Sequence, residues 1–154
     1  MRRRSCALGV LGAALVTSCT LLTDPRLDAD RFSRITVMPA TVEATALAPV
    51  ATDSGIVTRL SIRNTGSAPA IVEHGACDLL PAIIERSERV RYPEVACVLI
   101  LYRLEIPPGA TREIVSTLRW LQLESQGIQL DGAEAQFGVF VNDQRVLSPR
   151  SRLR

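Results

Sequence analysis

Two segments of this chain alternate apolar and polar side chains with a period of two, and that alternation constrains the fold more than any other feature. In Ile56-Val57-Thr58-Arg59-Leu60-Ser61-Ile62-Arg63, Ile56, Thr58, Leu60 and Ile62 fall on one face, while Arg59, Ser61 and Arg63 fall on the other. In Glu113-Ile114-Val115-Ser116-Thr117-Leu118-Arg119-Trp120, the residues Ile114, Leu118 and Trp120 share a face and are expected in the core. A period of two is that of a β-strand with one wet side, and it cannot be satisfied by a helix.

Turn chemistry punctuates the rest. Asn64-Thr65-Gly66-Ser67-Ala68-Pro69 stops the first strand, and Ala70 to His74 starts the next. Tyr102 to Ile106 runs into Pro107-Pro108-Gly109, where proline pre-sets one φ and glycine accepts a positive one, the pattern of a type II turn. Phe137, Val139 and Val141 alternate with Gly138, Phe140 and Asn142, and Asn142-Asp143-Gln144 turns the chain into Arg145-Val146-Leu147 as a closing hairpin. Leu79 to Glu85 and Ala96 to Leu101 are continuous apolar runs that periodicity alone cannot assign, and their β-branched content predicts strands. Gln122 to Gly132 is compatible with a short helical turn or a loop. The expectation is an all-β fold, an immunoglobulin-like antiparallel β-sandwich of about seven to nine strands.

The N-terminus carries an address. Met1-Arg2-Arg3-Arg4 leads into the apolar run Cys6 to Val16 and then Thr17-Ser18-Cys19, which resembles a bacterial lipoprotein signal peptide. The run is too short to span a bilayer. The resemblance implies cleavage after Ser18 and acylation of Cys19, with the lipid bilayer as the chain's first partner. Several acyl chains, each stabilised by roughly 0.8 kcal/mol per buried methylene, hold such a cysteine on a membrane almost irreversibly. The expected organisation is therefore a signal over 1–18, a lipidated tether over 19–33, the sandwich over 34–148 and a fraying tail over 149–154.

Processing of this kind removes Cys6 and occupies Cys19, which leaves Cys77 and Cys97. In an oxidising compartment that pair is expected as a disulfide, closing a ring of about 20 residues and stabilising the fold by roughly 3 kcal/mol on chain-entropy grounds. A metal site is the poorer reading, since the chain has one histidine, His74, and no C-x-x-C.

Charge excludes further classes. Residues 1–18 carry three arginines and no acid, so the remainder falls from +2 to −1, without the positive field of a nucleic-acid binder. All 18 strongly basic side chains are arginine, a bias that fits codon usage and carries no functional reading. No nucleophile elbow, P-loop, dinucleotide-binding glycine pattern or zinc-protease motif occurs. His74 alone does not make a catalytic centre, Met38 and His74 do not make a copper site, and the pairs Glu85/Glu88 and Asp28/Asp30 lie in polar segments expected to be solvated. The expectation is a protein that is not an enzyme and takes no cofactor and no metal.

Read in order, Leu60-x-Ile62-x-Asn64-Thr65-Gly66, the Ile106-Pro107-Pro108-Gly109-Ala110-Thr111 turn, Leu118-x-Trp120 and the aromatic strand at Phe137 are similar to exported bacterial domains of the BsuPI family, named after a Bacillus intracellular proteinase inhibitor. The cysteine pair and Gln122 to Gly132 depart from that pattern. The resemblance implies an immunoglobulin-like sandwich over about Arg34 to Leu147, and it leaves two functions. One is a membrane-anchored binding or accessory module with a protein partner in the cell envelope, for which any exposed residue of Val98-Leu99-Ile100-Leu101-Tyr102 is the best lead. The other is a proteinase inhibitor that presents Arg86, Arg89 and Arg91 from the ring between Cys77 and Cys97.

Overall fold

The computed structural model describes residues 26–38, 41–98 and 100–153 with their side chains, and residues 3–11 and 14–22 by their backbone alone. That backbone forms β1 (Arg3–Leu11) and β2 (Ala14–Leu22), which among the described residues pair only with each other. The side chain of Cys19, on which the acylation reading rests, lies outside the described residues.

The rest is an all-β sandwich. Its largest sheet has five strands, β3 (Ser33–Met38), β7 (Ala70–Gly75), β10 (Leu101–Ile106), β13 (Gly138–Val141) and β14 (Gln144–Leu147), in the order β10-β7-β3-β13-β14. The second contains β4 (Val42–Ala46), β6 (Gly55–Asn64) and β11 (Thr111–Arg119) in the order β11-β6-β4, with β5 (Val50–Thr52) also paired to β6. A third, made of β8 (Ala82–Ile84), β9 (Val90–Arg91), β12 (Glu134–Gln136) and β15 (Ser151–Arg152), runs β15-β12-β8-β9. Of the thirteen strands from β3 onward, eight have four or more residues and five are shorter.

The pairing is antiparallel except between β13 and β3, where Val139 to Val141 run parallel to Ser33 to Ile35. The expected purely antiparallel pattern fails there: β3 lies between β7, to which it is antiparallel, and β13, to which it is parallel.

The two long strands organise the interior. On β6, Ile56, Thr58, Leu60 and Ile62 are buried while Arg59 and Arg63 are exposed. On β11, Ile114 and Leu118 are buried, in register with Leu60 and Ile56. One cluster, with Ile35, Leu60, Ile62, Val72, Ile106 and Phe137 among its members, lies between the two larger sheets. A second gathers Ile56, Ile83, Leu118, Trp120, Leu123 and Leu153 against the third sheet. Trp120 is core as expected, but it opens the helix α1 (Trp120–Glu124) instead of prolonging β11, and its indole N–H donates to the carbonyl of Thr52 at 2.8 Å. The segment left open between turn and loop thus begins inside a helix and continues as loop.

Local chemistry explains the boundaries. Asn64 ends β6 fully buried. Its amide donates to the carbonyls of Ala68 and Ile106 at 2.8 and 2.9 Å, and its side-chain oxygen accepts from the N–H of Gly66 at 2.9 Å. Gly109, at φ +73°, occupies the positive-φ position of the Pro-Gly turn, which the N–H of Ala110 closes onto the carbonyl of Pro107 at 3.0 Å. Asn142 and Asp143, at φ +47° and +64°, make the two-residue hairpin between β13 and β14.

Four expectations need correction. The packed part begins before Arg34, because Leu27 and Phe32 are buried with Ala82 beneath Tyr92 and Phe140. The ring of Phe32 lies over Gly138, where a Cβ would come within 2.2 Å of it, so this approach requires glycine. The C-terminal residues do not fray: β15 pairs with β12, Leu153 is buried, and its N–H donates to the carbonyl of Ala133 at 2.9 Å. Glu85 is buried and not solvated; its carboxylate accepts from the N–H of Gln129 at 3.3 Å. Finally, Ala96 to Val98 form no strand, and among the described residues of the second apolar run Leu101 alone enters one.

Candidate interaction surface

The disulfide joins Cys77, just past the end of β7, to Cys97, in the irregular stretch that precedes β10, with Cα atoms 6.0 Å apart. It pins the incoming chain beside β7, and β10 then pairs along that strand from Leu101 opposite Gly75 to Ile106 opposite Ala70. The other side of β10 has no strand among the described residues, so its outer N–H and C=O groups form a sheet edge.

Large apolar side chains remain uncovered at this edge and in the stretch just before it. Val98 is 66% exposed, Ile100 46%, Leu101 67% and Tyr102 46%, while Leu99 lies outside the described residues. The N–H of Ile100 bonds to the carbonyl of Val98 at 2.7 Å just before β10 begins. Beside it, a groove of about 300 Å³ opens between this sheet and the edge of β11, lined by His74, Asp78, Leu79, Tyr102, Ile114 and Val115. Val115, 54% exposed, extends the apolar surface across the groove.

His74 belongs to this surface. Its ring stacks on Tyr102 with centroids 5.3 Å apart, and its Nδ1 lies 3.2 Å from the carbonyl oxygen of its own neighbour, Gly75. Met38 is exposed and pairs with Ile71, three residues along β7 from His74. Among the described residues, no three His, Cys, Asp or Glu side chains are grouped so as to hold a metal ion.

The arginines of the disulfide ring are placed differently. Arg86 and Arg89 are exposed at the tip of the β8–β9 hairpin, and Arg91 is half-buried in β9 opposite Ile83. The N–H of Glu85 bonds to the carbonyl of Arg89 at 2.9 Å and that of Glu88 to the carbonyl of Glu85 at 2.8 Å, with Glu88 at φ +64°. The tip is thus a closed turn with a left-handed residue in its middle, not an extended segment. Arg86 lies 4.0 Å from Asp131, but both are almost fully in water, where such a pair contributes little. Glu88 stands in this turn, remote in environment from buried Glu85, and Asp28 and Asp30 are exposed.

Sequence reasoning missed a second feature, where arginines stack on rings around Phe32. Arg34 lies 4.8 Å from the centre of Phe140, Arg145 5.3 Å from Phe32 and Arg31 5.8 Å from Tyr92. Burial pushes the phenol of Tyr92 above its ordinary value, opposed by the N–H of Asp28 that donates to its oxygen. The signal available was Phe32 itself, a large aromatic in a segment otherwise read as a polar tether.

Compared with family models, with curated proteins and with solved structures, the chain matches none of them.

Proposed function

We propose that this chain is an exported lipoprotein, acylated at Cys19 and held on a membrane of the bacterial cell envelope, whose sandwich is a protein-binding module that works through the edge at β10. The carrying observation is the apolar side chains of Leu101 and Tyr102, uncovered on a free sheet edge beside a groove, with those of Val98 and Ile100 uncovered in the stretch that leads into it. Contiguous exposed apolar surface is costly in water and marks a surface that a partner covers. A free edge adds unpaired main-chain groups with which an extended segment can bond. The Cys77–Cys97 disulfide accords with an oxidising compartment and thus with export. The resemblance to the BsuPI family belongs to the same reading at the level of fold and brings no inhibitory activity with it.

The inhibitor alternative has the shape of its loop against it. A segment that fills a protease cleft lies extended along it, whereas Arg86 to Arg89 are folded into a tight turn around Glu88.

A photo-reactive amino acid placed in cells at Leu101, and at exposed Thr45 of β4 as control, tests the proposal. A discrete protein adduct at Leu101 with none at Thr45 supports it. No adduct at either, or the same adducts at both, would overturn it.

A further inference from the structure

We propose that the partner at this edge is a second copy of the chain, joined β10 to β10 about a two-fold axis through Leu104. The inference rests on the reading of the β10 edge as an interaction surface and names its occupant.

Two identical strands that pair antiparallel have few registers to choose from, and each fixes which side chains face one another. With Leu104 opposite Leu104, Arg103 faces the partner's Glu105 and Glu105 faces the partner's Arg103. Tyr102 meets the partner's Ile106, and Leu101 meets the partner's Pro107. Apolar side chains face apolar ones, and opposite charges face each other twice.

The neighbouring registers lose this. Centring the axis on Arg103 brings two arginines together and sets Leu101 against Glu105. Centring it on Glu105 brings two glutamates together. An axis between Arg103 and Leu104 leaves both charges opposite uncharged side chains. Directly opposed like charges destabilise a ladder and opposed unlike ones stabilise it. The charges therefore select one register, and the symmetric contact closes on itself instead of growing into a fibre.

Burial agrees with this assignment. Arg103 and Glu105 are exposed and have no ion pair among the described residues, whereas Leu104 and Ile106 turn toward the core. Charges on a free edge ordinarily ward off association. Here their order, Arg then Glu two residues apart, repels the other registers and leaves this one open. Pro107, which has no N–H to give a ladder, falls at the end of the paired stretch, where none is needed. Leu101 and Tyr102, the uncovered residues of β10, would then be shielded by the second copy.

The test is a charge reversal on the full chain in detergent solution, with mass measured by sedimentation over a range of concentrations. The parent should be dimeric. Arg103→Glu and Glu105→Arg should each weaken the dimer by about tenfold or more, since each turns two attractive pairs into two repulsive ones. The double variant Arg103→Glu/Glu105→Arg, which exchanges the charges, should restore it. Both sites are exposed, and unchanged circular dichroism checks that each variant folds. A monomeric parent, single variants as dimeric as the parent, or a double variant that remains monomeric would each overturn the proposal. The photo-adduct at Leu101 separates the two readings. An adduct of twice the chain's mass fits both, an adduct with a different protein keeps the binding module and removes the self-pairing, and no adduct removes both.

Discussion

Two apolar runs stand inside the same disulfide ring or at its border, and they meet opposite fates. In Leu79 to Ile84, Leu79, Ala82, Ile83 and Ile84 are buried, and the run ends in β8, paired on one side with β12 and on the other with β9. In Ala96 to Leu101, of similar composition, Val98, Ile100 and Leu101 are exposed, and no described residue before Leu101 lies in a strand. Hydrophobicity does not separate them. What does is the availability of backbone partners. β12 and β9 come from distant and local chain respectively to satisfy both sides of β8, whereas of the described residues of the second run only Leu101 has a ladder partner, on the β7 side alone. Main-chain groups without a ladder partner favour contact with water, and in the second run the side chains stay in water with them.

The contrast can be broken by substitution. The largest effect is expected on the buried side, from Trp120→Ala, because Trp120 shares the second cluster with Ile83 and also loses its hydrogen bond to Thr52. It should cost about 3 to 5 kcal/mol in denaturant unfolding, and the native tryptophan emission should be blue-shifted. Ile83→Ala should follow at about 2 to 4 kcal/mol by the same measurement. If it costs less than about 1 kcal/mol, the first run is no better buried than the second and the comparison fails. Replacing both Cys77 and Cys97 by serine should cost about 2 to 4 kcal/mol and raise hydrogen exchange in 92–100 more than in β8, since the bond holds that stretch to the sheet.

A fourth prediction concerns pH. Tyr92 sits at the end of the ring's hairpin with its phenol raised above 10.0 by burial, so the folded state holds the proton more tightly than the unfolded one. Its contribution is fully present below the unfolded value and is lost as pH rises through and beyond it. The denaturation midpoint of the parent should therefore fall more steeply above about pH 10 than that of Tyr92→Phe, and equal slopes would refute the burial argument. The smallest effect is expected at Leu101→Ser. Stability should change by no more than about 0.5 kcal/mol, because the side chain is already in water, while the adduct formed from a photo-reactive group at neighbouring Ile100 should weaken.

The strands carried by strict alternation, β6, β11 and β13, were legible in the sequence, because one wet face and one dry face leave a period that short-range reading detects. So were the Pro-Gly turn and the cysteine pair, whose geometry now joins Cys77 to Cys97. What was not legible depends on chain far away. Leu27 and Phe32 are buried because Gly138 leaves room for a ring, and Glu85 because Gln129 supplies an N–H to its carboxylate. The tail is ordered because β12 has a free side. None of these partners lies within ten residues of the group it serves. Within the candidate site, the apolar run was visible in the sequence, but its exposure was not, since that depends on which strands lie beside β10.

The insertion of β3 between β7 and β13 bears on mechanics. The polypeptide enters the domain through Phe32 into a strand flanked on both sides, not into an outer one. A pull on the N-terminal segment is therefore resisted by two ladders loaded along their length at once, with the Phe32 ring wedged over Gly138 as a stop ahead of them. Drag or thermal motion of whatever is attached to that segment would reach the β10 edge as rigid displacement of a whole sheet, without peeling a strand away from it.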